Sequence, residues 1–218
     1  MIKDQPFFSS WSGGKDSCLA LYYALQQGGK ARRLLTMVEN EERSKSHRLP
    51  VELLQKQAEL LQIPLTTCVA SWEEYEEKFL ATIKKFKAEG INYGVFGDID
   101  IPGHLKWVQD ICAQADITAY HPLWQKSRRQ VVHEFITAGF KAMIVVVNEK
   151  LCDKVFLGRM LDLALIEELE EQGVDPCGEN GEFHTVVIGG PIFRHDLPLR
   201  TGPEQYHDGY WFLPVNVS

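Results

Sequence analysis

The chain has 218 residues, of which 44% are hydrophobic and 24% are charged, a composition close to that of ordinary globular domains. Its formal net charge of −7 at pH 7 argues against a protein that binds nucleic acid by neutralising many phosphates with Lys and Arg. Residues 1–8 lack the features of a signal peptide, and no apolar run is long enough to span a membrane. We therefore expect a cytoplasmic protein that binds neither membranes nor nucleic acid.

The cysteines give no sign of a disulfide or metal framework. They are five in number and far apart along the chain: Cys18, Cys68, Cys112, Cys152 and Cys177. No C-x-x-C pair is present, so we expect reduced thiols. Cys177 and His184 are close in sequence, but no second Cys/His pair has matching spacing, which argues against zinc.

The first half of the chain alternates predicted strands with predicted helices. Apolar runs predict strands at 6–11, 33–39, 65–69 and 93–96. A helix follows the first strand and ends at Gly28-Gly29, and apolar residues recur at helical spacing in three later segments: Val51, Leu54, Ala58 and Leu61; Phe79, Ile83 and Phe86; Val108, Ile111 and Cys112. This alternation predicts an α/β fold with a doubly wound parallel sheet.

The pattern changes near residue 125. Beyond it we expect a helix at 127–138, a strand at 143–147, an acidic helix at 154–172 and a loop-rich end. These elements predict a smaller α+β domain at 126–218 that packs directly on the domain at 1–125, because no flexible linker separates them.

A glycine-rich turn follows the first predicted strand and reads Ser12-Gly13-Gly14-Lys15-Asp16-Ser17. Glycine lets the backbone approach a phosphate closely, and the amides of a helix N-terminus favour an anion. The string is not a Walker A loop, because Ser9 and Asp16 stand where that motif needs Gly and Ser or Thr. We predict that these six residues bind nucleotide phosphates and that Asp16 either binds Mg²⁺ or caps the helix.

Two further strings combine glycines with acidic residues. Gly97 and Asp98 follow a predicted strand, and ligands of open α/β sheets bind outside the carboxyl ends of the strands, so we place both residues at the nucleotide. The other string is Asp175-Pro176-Cys177-Gly178-Glu179-Asn180-Gly181-Glu182-Phe183-His184-Thr185. Its acidic residues indicate a second substrate site, whereas a polar edge hairpin used for dimer contacts is the structural alternative.

The six-residue turn resembles the PP-loop of the ATP pyrophosphatase superfamily, whose members bind the pyrophosphate of ATP and transfer AMP to an acceptor oxygen. The order of several motifs resembles the diphthine–ammonia ligase family over residues 8–195. Those motifs are the turn itself, Gly97-Asp98-Ile99, His121-Pro122-Leu123-Trp124, Gly158-Arg159, the string at 178–185 and Gly189-Gly190-Pro191-Ile192-Phe193.

This resemblance implies a Rossmann-like PP-loop ATP-binding domain at 1–125 and a family-specific acceptor domain at 126–218. The implied enzyme is an ATP-dependent carbon–nitrogen ligase that adenylates diphthine on elongation factor 2, amidates it with ammonium, and releases AMP and pyrophosphate. ATP and Mg²⁺ are the implied cofactors. The expected catalytic residues are Lys15, Asp98, Glu179 and Glu182, and the expected acceptor contacts are Trp124, Arg159, Glu179, Asn180, Glu182 and His184.

Asn180 and His184 depart from the Glu-Gly-Gly-Glu-Phe/Tyr-Glu-Thr pattern of archaeal and eukaryotic members and resemble a bacterial-type variant. The acceptor therefore stays open between diphthine and a small-molecule carboxylate such as a corrinoid precursor. A tRNA-modifying PP-loop enzyme would show paired cysteines and a basic surface, and an ATP-binding sensor would need no second acidic string. A homo-oligomer and an external protein that delivers ammonia also stay open.

Overall fold

A computed structural model describes residues 2–39, 44 and 49–218. In the N-terminal half, strands β1 to β5 form one sheet in which every pair is parallel. The strands are β1 (Pro6–Ser10), β2 (Lys30–Val38), β3 (Leu65–Val69), β4 (Tyr93–Val95) and β5 (Thr118–Tyr120). The helices between them are α1 (Lys15–Gln26), α2 (Val51–Leu61), α3 (Tyr75–Ala88) and α4 (Pro102–Gln114). The predicted doubly wound α/β fold is confirmed.

The central strand β1 is buried on both faces of this sheet. Its neighbouring residues Phe7 and Phe8 point to opposite sides, and each belongs to a different hydrophobic core. Burying a phenylalanine side chain contributes roughly 1.5–3 kcal/mol. The core that contains Phe8 also takes the apolar stripes of α3 and α4, which are the residues that the helical spacing predicts: Phe79, Ile83, Phe86, Val108, Ile111 and Cys112.

The order of the strands decides where a ligand can bind. It is β3-β2-β1-β4-β5, so the chain moves outward from β1 in one direction and then returns to β1's other side with β4. In open α/β sheets the crevice at such a reversal, outside the carboxyl ends of the strands, is the usual ligand site. The loops that follow β1 and β4 flank this crevice.

The C-terminal half contains two helices and mostly antiparallel strands. The helices are α5 (Arg128–Thr137) and α6 (Leu163–Glu171), and the strands are β6 (Lys141–Asn148), β7 (Phe183–Gly189), β8 (Leu199–Thr201), β9 (Gln205–His207), β10 (Tyr210–Phe212) and β11 (Val215–Val217). One sheet has the order β7-β6-β10-β9, and β8 pairs with β11. The larger hydrophobic core runs through both halves, joining α1 to β6 and β7.

The predicted helix at 154–172 is wrong in its first half. The helical structure there is limited to a short 3₁₀ turn at Lys154–Phe156, and Gly158 then adopts a φ of +81°. The following residues bond to β6 instead, since the Leu161 amide donates to the Ala142 carbonyl at 2.8 Å. Helix α6 begins only after Asp162, whose side chain accepts from the Leu165 amide at 2.7 Å. No helix in the described chain is long and apolar enough to cross a membrane.

Candidate active site

The glycine-rich loop, residues 12–17, connects β1 to α1 at the crevice. Gly13 has a φ of +79°, and a Cβ there would lie 2.6 Å from Leu54 Cδ2, so only glycine fits this position. Gly14 is the N-cap of α1 and supplies no side-chain cap. The N-terminus of α1, with its partial positive charge, therefore faces the crevice in the manner of an anion site.

Two serines hold the shape of this loop. Ser12 Oγ lies 3.1 Å from Ser17 Oγ and accepts a hydrogen bond from the Gly14 amide at 3.2 Å. Ser17 Oγ in turn donates to the Gly14 carbonyl at 3.1 Å. Both hydroxyls also line the larger of two cavities at the site, so they are accessible to a ligand as well as structural.

Lys15 is a buried cation, with only 3% of its surface exposed. Its Nζ lies 2.8 and 2.7 Å from the two carboxylate oxygens of Asp16. Burial by itself lowers the pKa of the ammonium group, but the carboxylates of Asp16 and Glu179 more than reverse this effect and raise the pKa. Lys15 therefore stays protonated at any physiological pH.

Gly97 and Asp98 approach the same helix end from the neighbouring strand β4. A Cβ on Gly97 would lie 2.9 Å from the Asp16 carbonyl carbon, so glycine allows the two backbones to touch. The Asp98 carboxylate lies 3.3 Å from His121 Nδ1 and 3.8 Å from His104 Nδ1. Both ring nitrogens of His121 are buried with no hydrogen-bond partner among the described residues. Asp98 thus stands between two imidazoles at the cavity wall.

The acidic loop, residues 175–185, comes from the C-terminal half and lies on the glycine-rich loop. Thr185 Oγ1 accepts from the Lys15 amide at 3.2 Å, and the Val187 amide donates to the Gly13 carbonyl at 2.9 Å. Gln57 connects the glycine-rich loop to β7, the strand that continues from the acidic loop, by donating to the Gly13 and Val187 carbonyls. The C-terminal half therefore contacts the glycine-rich loop directly through this segment.

The carboxylate of Glu179 is brought close to that of Asp16. Together with the Cys177 thiol, their ligand atoms all lie within 4.8 Å of one another. Burial, and then the negative charge of Asp16, raises the pKa of Glu179 to about 7, against the opposing effects of Lys15 and Arg128. A carboxyl group that titrates near neutrality can accept and return a proton under physiological conditions.

Two cavities meet at this cluster. The larger measures about 610 Å³ and is lined by residues that follow β1, β3 and β4, including Ser12, Ser17 and Asp98. The smaller measures about 210 Å³ and lies between Lys15 and the acidic loop, with His184 in its wall. Asp16, His104 and Glu179 line both cavities.

Six of the predicted site residues line neither cavity: Gly13, Gly14, Trp124, Arg159, Asn180 and Glu182. Glu182 is 5% exposed and its carboxylate accepts from the Asn180 amide and side chain at 2.9 and 2.8 Å. Arg159 pairs with Glu168 at 2.6 Å, away from the cavities. Trp124 packs edge-on against the His121 ring at 6.4 Å.

Arg128 is a residue of this region that no motif indicates. It lies at the start of α5 and donates to Asp100 at 2.7 and 3.0 Å, to Asp175 at 2.7 Å and to Asn180 at 2.9 Å. It therefore ties the acidic loop to the loop after β4. An arginine at a helix start is ordinary in sequence, so only the folded arrangement identifies its role.

Asp16 and Glu179 suit a magnesium ion, which takes one or two carboxylates and completes its shell with water and phosphate oxygens. Cys177 does not suit this ion. Burial raises the pKa of its thiol well above the usual range, despite the nearby Lys15, and a protonated thiol is not a ligand for a hard cation. The two carboxylates are therefore the magnesium ligands that the cluster offers.

The matching family models and the curated relatives point to the same family. The model of the diphthamide synthase N-terminal domain matches residues 8–119, and that of the diphthamide synthase C-terminal domain matches residues 127–216. Diphthine–ammonia ligases from Mus musculus and Homo sapiens are 25% and 26% identical over 94% of this chain and 86% of each relative. A solved structure described as a predicted subunit of tRNA methyltransferase from Methanocaldococcus jannaschii covers 86% of this chain and 98% of its own, with 15% identity and a TM-score of 0.48.

Proposed function

Because the chain belongs to the diphthamide synthase family and is an ATP-dependent ligase, we propose that it adenylates an acceptor carboxylate and then amidates it with ammonia. The observation that carries this proposal is the meeting of the glycine-rich loop and the acidic loop at one pair of cavities. A ligase of this type must hold a nucleotide and an acceptor within reacting distance, and the two loops come from the two halves of the chain. We assign the nucleotide to residues 1–125 and the acceptor to residues 126–218.

The first step is attack by the acceptor carboxylate oxygen on the α-phosphorus of ATP, with pyrophosphate as the leaving group. Negative charge accumulates on the β and γ phosphates, so donors placed there stabilise the transition state. The N-terminus of α1, the hydroxyls of Ser12 and Ser17, and the Lys15 ammonium group supply those donors. Asp16 would hold Mg²⁺, which when bound neutralises phosphate charge, and this leaves Glu179 free for the second step.

Lys15 has to exchange partners when ATP binds. Without nucleotide, its ammonium group is held by both oxygens of Asp16. Lys15 would leave Asp16 to contact the phosphates, and the Asp16 carboxylate would then be available to hold Mg²⁺. Two observations favour a role for Asp16 as a metal ligand over a role as a helix cap. Its carboxylate accepts from Lys15 Nζ, and Gly14 occupies the N-cap position of α1.

The second step is attack by ammonia on the acyl carbon of the adenylate, with AMP as the leaving group. The new C–N bond needs a base to take the proton that nitrogen loses. Glu179 suits this role because its pKa is about 7 and its side chain lines both cavities. We therefore propose that Glu179 is the general base and that ammonia enters through the smaller cavity, past Lys15 and His184.

We propose diphthine on elongation factor 2 as the acceptor, because the relatives with high coverage are diphthine–ammonia ligases. The test is to incubate the protein with ATP, Mg²⁺ and nitrogen-15 ammonium, together with either diphthine-bearing elongation factor 2 or a panel of small carboxylates. Mass spectrometry then shows which acceptor exchanges a carboxylate oxygen for labelled nitrogen.

Labelled diphthamide would support the full proposal, and a labelled small amide would retain the chemistry but replace the acceptor. ATP cleavage in the presence of both acceptor sets without labelled amide would contradict the amidation step. Omitting ammonium provides the control, because without a nitrogen source neither acceptor should form an amide.

A further inference from the structure

We propose that His121 is a positioning residue that holds the carboxylate of Asp98 in its working orientation at the wall of the larger cavity. His121 begins the string His121-Pro122-Leu123-Trp124, which supplies no group to either proposed step of the reaction. The inference rests on the proposed function for one statement, that Asp98 takes part in adenylation. The pairing of the two side chains follows from the fold around them.

Backbone hydrogen bonds fix the turn at 121–125 against the loop that follows β4. Strands β4 and β5 are parallel neighbours, so the residues that follow them leave the sheet at the same edge. The Phe96 amide donates to the Tyr120 carbonyl at 3.0 Å, and the Gln125 amide donates to the Ile99 carbonyl at 2.8 Å. The turn and the loop are therefore held together on both sides of the pair.

Aromatic packing fixes the imidazole ring of His121. The ring stacks on Phe96 with centroids 5.5 Å apart and an interplanar angle of 26°, and Trp124 packs against its edge. Only 6% of the His121 side chain is exposed. Leu123 is fully buried and anchors the same turn in the larger hydrophobic core. The imidazole therefore has little freedom to move, and the geometry of the pair depends on how the carboxylate turns.

The Asp98 carboxylate offers the buried ring an acceptor. Nδ1 of His121 lies 3.3 Å from Asp98 Oδ2, yet neither ring nitrogen has an aligned hydrogen bond among the described residues. A buried N–H without an acceptor is unfavourable, so a small rotation of the carboxylate toward Nδ1–H stabilises both groups. Hydrogen bonds of catalytic groups are often poorly aligned in a free enzyme and tighten in the complex. We expect this alignment when the nucleotide binds.

The pairing leaves the second oxygen of Asp98 for the cavity side. Asp98 Oδ1 lies 3.8 Å from Nδ1 of His104, a residue that lines both cavities, whereas His121 lines neither. His121 therefore acts through Asp98 and not on the nucleotide. A carboxylate in a cavity that receives a polyphosphate needs a fixed direction, because an oxygen turned toward the phosphates would repel them. The N–H of His121 provides that direction.

Two substitutions of His121 separate positioning from packing. Phenylalanine keeps a ring on Phe96 but has no donor, whereas asparagine leaves a gap but carries an N–H close to the place of Nδ1. We expect His121→Phe to lower kcat for pyrophosphate release about tenfold to hundredfold, the usual effect of removing an outer hydrogen-bond partner of a functional group. The KM for ATP should stay nearly unchanged. His121→Asn should retain most of the wild-type kcat, whereas a packing role predicts the reverse order.

The matched control is His133→Phe, the same substitution at an exposed position of α5, which should leave kcat unchanged. The pairing itself is read from long-range proton–nitrogen spectra of protein labelled with nitrogen-15 histidine. The spectra are recorded with Mg²⁺ and α,β-methylene-ATP, which cannot be cleaved between the α and β phosphates. We expect Nδ1 of His121 to carry a proton and its signal to shift in Asp98→Ala. His121→Asn assigns the resonance, because its signal is then missing.

A wild-type kcat in His121→Phe would overturn the proposal, as would a lower kcat in His121→Asn than in His121→Phe. An Nδ1 without a proton would also overturn it, because that nitrogen could not donate to Asp98. Circular dichroism checks the folding of each variant, and the spectra of the wild type decide if His121→Phe does not fold. The proposed function is read separately: a wild type that releases no pyrophosphate would refute the ligase chemistry, while a protonated Nδ1 that responds to Asp98→Ala would still support the pair.

Discussion

Replacing Glu179 with glutamine should make the protein more stable and less active. Burial, and then the charge of Asp16, raises the pKa of this carboxyl group from an ordinary value of 4.5 to about 7 in the folded chain. The ionised form is therefore disfavoured by folding. Since each unit of pKa corresponds to 1.36 kcal/mol, this rise in pKa corresponds to a loss of about 3 kcal/mol in the free energy of unfolding when the group is ionised.

The sign follows from proton binding. Between about pH 4.5 and pH 7 the folded state binds more protons at this residue than the unfolded state, so the free energy of unfolding falls as pH rises through that window. Glutamine resembles the protonated carboxyl and removes this effect. The free energy of unfolding of Glu179→Gln should therefore match that of the wild type near about pH 5 and exceed it by up to about 3 kcal/mol near about pH 8.

Urea unfolding of both proteins at the two pH values measures this difference. Glu182→Gln is the matched control in the same loop, since its carboxylate accepts two hydrogen bonds from Asn180. The free energy of unfolding of Glu182→Gln should be lower than that of the wild type by about 1–3 kcal/mol at both pH values. The reason is that the amide group of glutamine has only one acceptor oxygen, so one of the two donors of Asn180 is left unsatisfied. Amide formation assayed in parallel should fall in Glu179→Gln, because the proposed general base of the second step is lost. A Glu179→Gln protein that is no more stable than the wild type near about pH 8 would refute the reasoning.

Three further substitutions test other parts of the site. Asp98→Asn should abolish pyrophosphate release, because the carboxylate between His104 and His121 is lost; retention of full release would exclude Asp98 from the adenylation site. Gly13→Ala should lower the free energy of unfolding, measured by thermal unfolding, by about 2–4 kcal/mol, since the left-handed φ and the contact with Leu54 both oppose a Cβ. In Arg128→Ala the rise of the turnover rate with increasing pH should move to higher pH, because Arg128 lowers the pKa of Glu179. The affinity for ATP should stay constant. An unchanged pH profile would contradict the effect of Arg128 on Glu179.

The fold of the N-terminal half could be predicted because its signals are local. Each helix carries an apolar stripe, and the residues that the helical spacing indicates in α3 and α4 are the ones that are buried. Apolar runs predict β1 to β4, whereas no such run predicts the short strand β5. The C-terminal half has weaker signals. Strands β8 to β11 have three residues each, too few to show a periodicity, and residues 159–161 leave the helical path because of contacts with β6 that are distant in sequence.

The site divides in the same way. The glycine-rich loop and Asp98 follow strands directly, so their placement at the sheet edge could be predicted from sequence. Glu179 and Glu182 are both glutamates of the acidic loop, and the sequence alone cannot tell which of them faces the cavities. In the fold the side chain of Glu182 turns to Asn180 instead. The ion pairs of Arg128 and the stack of Trp72, Tyr75 and Trp107 join residues from separate elements, which only the folded chain brings together.

The adenylation of a carboxylate is tested most directly with an oxygen-18 tracer. The acceptor identified by ammonium incorporation is labelled in both carboxylate oxygens and incubated with the protein, ATP, Mg²⁺ and ammonium. If the carboxylate attacks the α-phosphorus and ammonia then displaces AMP, one labelled oxygen must appear in AMP and none in pyrophosphate. Labelled orthophosphate formed together with ADP would contradict adenylation, because the carboxylate would then have attacked the γ-phosphorus.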